Sequence, residues 1–465
     1  MRIAPRSRWL IAIIGALCML VPVPFAAALA GGGSSGFGGG GFGGGGFGGG
    51  GFGGGGLGRG GVYIGALSPI TMGFIVLVVL AVIAFFALRT AWLAEQIRAA
   101  RRRRAARDAE IHSIALDAAM VDPIFDPDAV HAQAGQLFVD IQAAWTDRNR
   151  RRLHELVGPD LMVEWELRLD DFDRRGWHNV VEVIEGPTIQ YVNLINAGDT
   201  PNDRVVVFVE ALVADYVQVS MNGMILTHNQ GSSPRTRVGE YWTLAPHEDH
   251  WMLISIEQPA EGEYHLHERP IPRPEDDDHL RDDTFLQMAA ADRLPDGFAP
   301  ADLINVEFAD DARTAALDLS LADPRFSLDV LETSVRGVIE AWAQAVDGAD
   351  TPLEAIATRD AVDQLLYDSD AARTTRVVVR GPMVRRVEVA RLDVEHTPPR
   401  MRVDAELGGF RYVEDRDTVA VIEGSKDKPS AFVEQFTLEL VDDAAARPWQ
   451  VVAAARLPGT ITARR

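Results

Sequence analysis

The chain has 465 residues, 47% of them hydrophobic, and a formal net charge of −22. That charge is divided: residues 1–107 hold eleven Arg against one Glu, or +10, and the remaining 358 residues hold −32. A soluble part so acidic repels phosphate, which argues against nucleic acid as a partner; the single cysteine, Cys18, lies in an N-terminal apolar run and excludes disulfides and Cys-ligated metal from a mature chain.

In chain order, residues 1–30 read as a signal peptide. Arg2, Arg6 and Arg8 precede an apolar run from Trp9 to Leu20, and Ala28-Leu29-Ala30 offers an A-x-A-like cleavage site. Residues 31–61 are a Gly/Phe tract in which Phe37, Phe42, Phe47, Phe52 and Leu57 recur every five residues. Glycine loses too much backbone entropy to order itself without a packed core, so this tract is expected to be disordered. Residues 62–90 contain the uncharged stretch Ile64–Leu88. It exceeds the roughly 18–20 residues a transmembrane helix needs. Residues 91–121 follow as a helix rich in Ala and Arg. Its Arg98, Arg101, Arg102, Arg103, Arg104 and Arg107 are candidates for contact with anionic lipid. Arginines are retained on the cytoplasmic side of a span. Whether the signal is cleaved or stays as an anchor, the C-terminal part is therefore expected in the cytoplasm.

From Asp122 onward the chain repeats a set of markers. Asp122-Pro123-Ile124-Phe125 returns as Asp323-Pro324-Arg325-Phe326, and the helix ending at Trp145 returns as one ending at Trp342. Gly186-Pro187 matches Gly381-Pro382, Tyr216-Val217 matches Tyr412-Val413, Trp242-Thr243-Leu244 matches Phe436-Thr437-Leu438, and Trp251 matches Trp449. One order with nearly constant spacing predicts a tandem duplication. Residues 122–258 and 323–458 are the two copies, and the Pro- and acid-rich residues 259–322 are a linker with a short helix near Thr284–Ala291. Each copy places helices first, with Phe138, Ile141 and Trp145 on one face, and β-strands afterwards. That order predicts an α+β domain, its helices packed on a curved antiparallel sheet.

The helix signature Phe138-Val139-Asp140-Ile141-Gln142-Ala143-Ala144-Trp145, followed by Leu153, Leu156, the Leu161–Phe172 helix and a β-rich run from Val180, resembles the Tim44-like family. The likeness covers residues 62–258; the second copy departs from it, with Glu340 in place of Gln142. The resemblance implies a cone-shaped fold of the NTF2-like superfamily and a membrane-associated scaffold rather than a catalyst. Anionic lipid and a protein partner are the expected associations of such a scaffold, and no cofactor is expected; a reading compatible with it has the second copy dimerise the chain into a homo-oligomer.

Catalytic patterns were weighed against this. Glu164, Asp170, Asp171 and Asp173 are interleaved with Trp165, Leu169 and Phe172 and are expected on a solvated helix face. His154 and His178 are candidate bases only if a cone pocket surrounds them. His247-Glu248-Asp249-His250 is not a helical HExxH motif and is expected in a hairpin loop, and Tyr264-His265-Leu266-His267 falls in the linker. No nucleophile elbow appears. The alternative reading is a small-molecule-binding protein or enzyme that uses one cone as its pocket.

Overall fold

The computed structural model describes residues 30–31, 69–198, 202–227, 234–290, 306–345, 350–441 and 447–457. The expected signal core, nearly all of the Gly/Phe tract and residues 62–68 lie outside the described residues.

Helix α1 spans Pro69–Ala119, 51 residues, or roughly 77 Å at 1.5 Å per residue. The expected membrane helix and the basic helix are therefore one element. No Gly or Pro stands between Leu88 and Met120, so nothing interrupts the backbone ladder. The N-terminal part exposes its apolar residues, Leu80 at 59% and Leu88 at 73% among them. It is the one helix among the described residues long and apolar enough to cross a membrane. The C-terminal part behaves differently. There Ile111, Ala115 and Ala118, at helical spacing, are fully buried in a protein core.

That core belongs to the first α+β unit. After a 3-10 turn at Pro123–Phe125, α2 (Pro127–Thr146) starts at Asp126, whose side chain accepts the Ala129 N–H at 2.9 Å. Helices α3 (Arg150–Leu156) and α4 (Pro159–Arg175) follow, α4 ending on Gly176 at φ 64°. Strands β1 (Trp177–Ile195), β2 (Arg204–Val219), β3 (Ile225–Thr227), β4 (Arg235–His247) and β5 (His250–Glu257) form an antiparallel sheet in the order β1-β2-β4-β5, with β3 on β2. Gly186-Pro187 falls within β1, which is bulged rather than broken there. Trp145 packs edge-on against Trp165 at 5.4 Å and against Phe172 at 6.4 Å, and Phe138 lies 5.3 Å from Trp242.

The second unit comprises α5 (Asp278–Ala290), β6 (Val306–Phe308), α6 (Asp310–Ser320), α7 (Leu328–Gln344), α8 (Thr351–Glu354), α9 (Arg359–Tyr367), β7 (Thr375–Asp393), β8 (Arg400–Asp415), β9 (Val421–Gly424), β10 (Ser430–Leu440) and β11 (Trp449–Leu457). Its sheet runs β11-β10-β8-β7-β6, with β9 on β8; β6 is parallel to β7. The linker expected at 259–322 needs correction. Phe285, Leu286, Ala289, Ala312 and Ala316 are buried in the second core, because α5 and α6 cover its helical layer as the end of α1 covers the first.

The same local devices hold both units. Asp122 caps the Ile124 N–H at 3.1 Å and Asp323 caps the Arg325 N–H at 3.0 Å. Trp251 Nε1 donates to the Ile124 carbonyl at 3.2 Å, and Trp449 Nε1 to the Arg325 carbonyl at 2.9 Å. Single parallel bridges, Val157 with Leu253 and Ala357 with Val451, tie the second helix turn to the last strand in each.

Candidate functional site

The basic half of α1 lies across β1, and its arginines divide by helical face. At 100° per residue, Arg101, Arg104 and Arg107 recur on the side that meets the sheet. Arg101 pairs with Glu210 at 2.7 Å and Arg103 with Glu263 at 2.5 Å. The Arg104 guanidinium lies 3.9 Å over the Phe208 ring. Arg107 donates to the Val192 carbonyl at 2.8 Å and the Glu268 carbonyl at 2.6 Å. Arg104 and Arg107, grouped with the lipid contacts on sequence, are only 7% and 8% exposed. Both are covered by the protein rather than by solvent, although Arg104 Nε has no hydrogen-bond partner. Arg98 and Arg102 point away, within 3.2 Å and 3.5 Å of Glu95, and remain exposed.

A second charged region joins the two units. Glu257 at the end of β5 contacts Tyr264 Oη at 2.9 Å, His265 Nε2 at 2.8 Å and Arg380 Nη1 of β7 at 3.4 Å. Arg380 also donates to Ser255 Oγ at 3.2 Å and to the Ile256 carbonyl at 3.3 Å. Burial by itself would raise the Glu257 pKa, but His265 and Arg380 overcome it and hold the carboxylate at about 2. Burial would likewise lower His265, yet Glu257 and Glu268 push it up to about 10. A few residues away, Arg416 of the second unit grips Glu164 of α4 through Nε at 3.0 Å and Nη2 at 2.7 Å. Arg174 reaches Asp417 at 2.5 Å, and Lys426 holds the buried Glu414 at 2.6 Å.

The histidines and carboxylates marked on sequence do not converge on a catalytic centre. Glu164 and Asp171, expected on a solvated face, are buried and ion-paired, because the second unit and the end of α4 cover them. Asp170 and Asp173 stay at the surface with Arg150 and Arg148. His154 meets Glu166 at 2.8 Å in the open, and His178 Nε2 meets the Thr146 carbonyl at 2.7 Å. His247 and His250 flank the tight β4–β5 turn, where Glu248 takes φ 53°. Among the described residues no group of three or more His, Cys, Asp or Glu could hold a metal ion.

Two buried carboxylates were missed. Glu240 stands two residues before Trp242 on β4, and Glu434 two before Phe436 on β10, so both face the interior of their own unit. Burial pushes each up to about 7, although Trp242 Nε1 donates to Glu240 Oε2 at 3.0 Å and Arg411 stands near Glu434. The period-two spacing from the core aromatic was the signal for them.

Residues 114–258 match the family model described as Tim44-like domain. No curated protein matches the chain. Among solved structures, the intermembrane space region of the chloroplast protein ARC6 is similar at 11% identity, over 26% of this chain and 88% of that one, with a TM-score of 0.21. An Ntf2-like protein involved in plasmid conjugation is similar at 11% identity, over 70% of this chain and 95% of that one, with a TM-score of 0.18. At these TM-scores neither likeness carries an argument of its own.

Proposed function

We propose that this chain, whose residues 114–258 are a Tim44-like domain, is a membrane-anchored scaffold without catalytic activity. In this reading α1 crosses a bacterial plasma membrane and carries two divergent NTF2-like copies, one after the other, into the cytoplasm, where they bind a protein partner. The observation that carries the reading is the continuity of α1. One unbroken helix presents exposed apolar residues at its start and buries Ile111, Ala115 and Ala118 in the Tim44-like core at its end. Such an element transmits the position of the membrane to the domain with no flexible joint between. The ion-paired seam makes the second unit part of the same body.

The arginine pattern supports the direction of insertion, since Arg89 and the cluster from Arg98 to Arg107 follow the apolar segment while only Arg59 lies in the tract before it. Arg101 and Arg103 are paired with Glu210 and Glu263 of the first unit and its following turn, and Arg104 and Arg107 are buried against its sheet. Lipid contact therefore falls to Arg98 and Arg102, whose charges face outward, with Trp92 at the interface level.

Topology tests this directly. In a Cys18→Ser background, an impermeant maleimide applied to intact spheroplasts should label a Leu57→Cys variant and spare Met221→Cys, which should react only after lysis. The reverse labelling pattern would reject the cytoplasmic placement. In nanodiscs, Arg98→Ala/Arg102→Ala should erase any slowing of amide exchange in residues 92–102 by anionic over neutral lipid; persistence of that slowing would reject the lipid contact.

A further inference from the structure

Ala30 and Gly31 lie inside the first unit, 112 and 137 residues of sequence away from the side chains they bond to. The Ala30 N–H donates to Gln142 Oε1 of α2 at 3.0 Å, and Arg168 of α4 donates to the Gly31 carbonyl. Gly31 has φ +85°, and a Cβ on it would run into the Trp165 indole. The enclosing side chains are deeply buried: Gln142 is 1% exposed and Arg168 8%. Each nonetheless keeps an unpaired donor, Gln142 Nε2, Trp165 Nε1 and Arg168 Nε. One buried unsatisfied donor costs on the order of 1–3 kcal/mol, and native structures hold few of them. Three at one spot, all donors, mark a site shaped for an acceptor-rich group beside a glycine.

Ala30–Gly31 precedes the apolar part of α1 and the cleft follows it. When that part crosses a membrane, the two stand on opposite faces, whichever way the chain is inserted and whether or not the signal segment also crosses. In the inserted protein Ala30–Gly31 therefore cannot fill this cleft.

We infer that the cleft formed by Gln142, Trp165 and Arg168 binds the C-terminus of a partner polypeptide that ends in a small residue followed by glycine. Gln142 Oε1 accepts the penultimate N–H. Trp165 admits only glycine at the last position. A terminal carboxylate brings one more oxygen than the internal Gly31 carbonyl, which places acceptors before Arg168 and the Trp165 Nε1–H together. This deepens the scaffold reading by naming the chemistry of its partner, and it rests on that reading.

The test uses the full chain in nanodiscs and an N-terminally dye-labelled peptide ending Leu-Ala-Gly, followed by fluorescence anisotropy. Saturable binding is expected, weakened at least tenfold when the carboxylate is amidated and lost when the final glycine is replaced by alanine. Both changes lie in the peptide, so protein folding is not at issue. Gln142→Leu and Arg168→Met should each weaken binding of the acid peptide at least tenfold. Free Ala-Gly dipeptide should compete only at far higher concentration; if it binds as tightly as the longer peptide, the ligand is a small molecule and the partner assignment is overturned. Absence of saturable binding, or equal binding of the alanine-ended or amidated peptide, also overturns the inference. Cysteine labelling on the same nanodisc sample separates the two failures: if α1 spans and the peptide does not bind, only the cleft assignment falls. If the peptide binds and α1 does not span, the anchored scaffold falls and the cleft stands.

Discussion

Glu240 and Glu434 keep their protons in the fold to well above the usual carboxylate range because burial disfavours their charge, which raises each to about 7. The sign follows from linkage. Between about 4.5 and about 7 the folded chain binds more protons than the unfolded one, so stability is full below pH 4.5 and declines as pH rises through 7. Glu240→Gln should therefore change stability little at pH 4.5 and raise it by up to about 3 kcal/mol at pH 8, at 1.4 kcal/mol per unit. Urea unfolding at the two pH values checks this; equal effects at both would show that Glu240 is ionised in the fold. His265 acts in the same direction, its contribution present below 6.5 and lost as pH rises toward 10. Glu257, held at about 2, acts oppositely: its contribution is present above 4.5 and lost as pH falls toward 2. Glu240, Glu434 and His265 thus each favour the acid side of neutrality, and Glu257 opposes them below pH 4.5. Breaking this seam at Arg380 removes one of the two cations that hold the buried Glu257 and leaves His265 as the other. Arg380→Met should cost roughly 3–5 kcal/mol, read as a lower urea midpoint at pH 7. An unchanged midpoint would mean that water enters and replaces the guanidinium.

Among the elements, α1 decides the most. Its sequence contains two helical segments of opposite character, and their fusion depends on the lack of any breaker between Leu88 and Met120. Gln96 is exposed on this connecting stretch. Gln96→Pro should cost the helix about 3 kcal/mol locally and introduce a kink, while the core residues from Ile111 onward hold the domain together. Spin labels at positions 86 and 112 on the variant in nanodiscs should show a broadened, shortened distance distribution by electron–electron resonance. A distribution as narrow as that of the parent chain would reject the rigid stalk. Strand β6 shows the opposite relation between sequence and element. Three residues, Val306–Phe308, pair parallel with β7, and so short a segment has no period of its own to read.

At the scale of the whole molecule, the two units are joined by charges that neither needs for its own core. Arg416 of the second unit is 8% exposed and spends its guanidinium on Glu164 of the first. Arg416→Ala should leave Glu164 unpaired in the seam and weaken the contact by about 3 kcal/mol. The check is faster amide exchange in α4 and β8, with both unit cores still protected. Loss of protection throughout would instead make the two units one cooperative fold. A joint built from Arg–carboxylate pairs rather than a shared apolar core keeps the units in one orientation. It also leaves each core closed on its own side.

The sequence by itself determined what depends on local pattern. Uncharged length marked the apolar helix, the sign change near residue 107 separated a basic N-terminal part from an acidic remainder, and the recurrence from Asp122-Pro123 to Trp251 set the helix-then-strand order of both units. The helix signature around Trp145, with the Leu161–Phe172 helix and the β-rich run behind it, carried the resemblance to the Tim44-like domain, whose model matches residues 114–258. Only the tertiary structure decided the fate of individual charges. Arg104 and Arg98 are six residues apart on one helix, yet one lies on Phe208 and the other faces outward. Glu164 and Asp170 share α4, yet one is locked to Arg416 and the other is at the surface. The residues read as a linker entered the second core for the same reason. Which face of an element is covered depends on what packs there from elsewhere in the chain, and partners such as Glu164 and Arg416 are 252 residues apart.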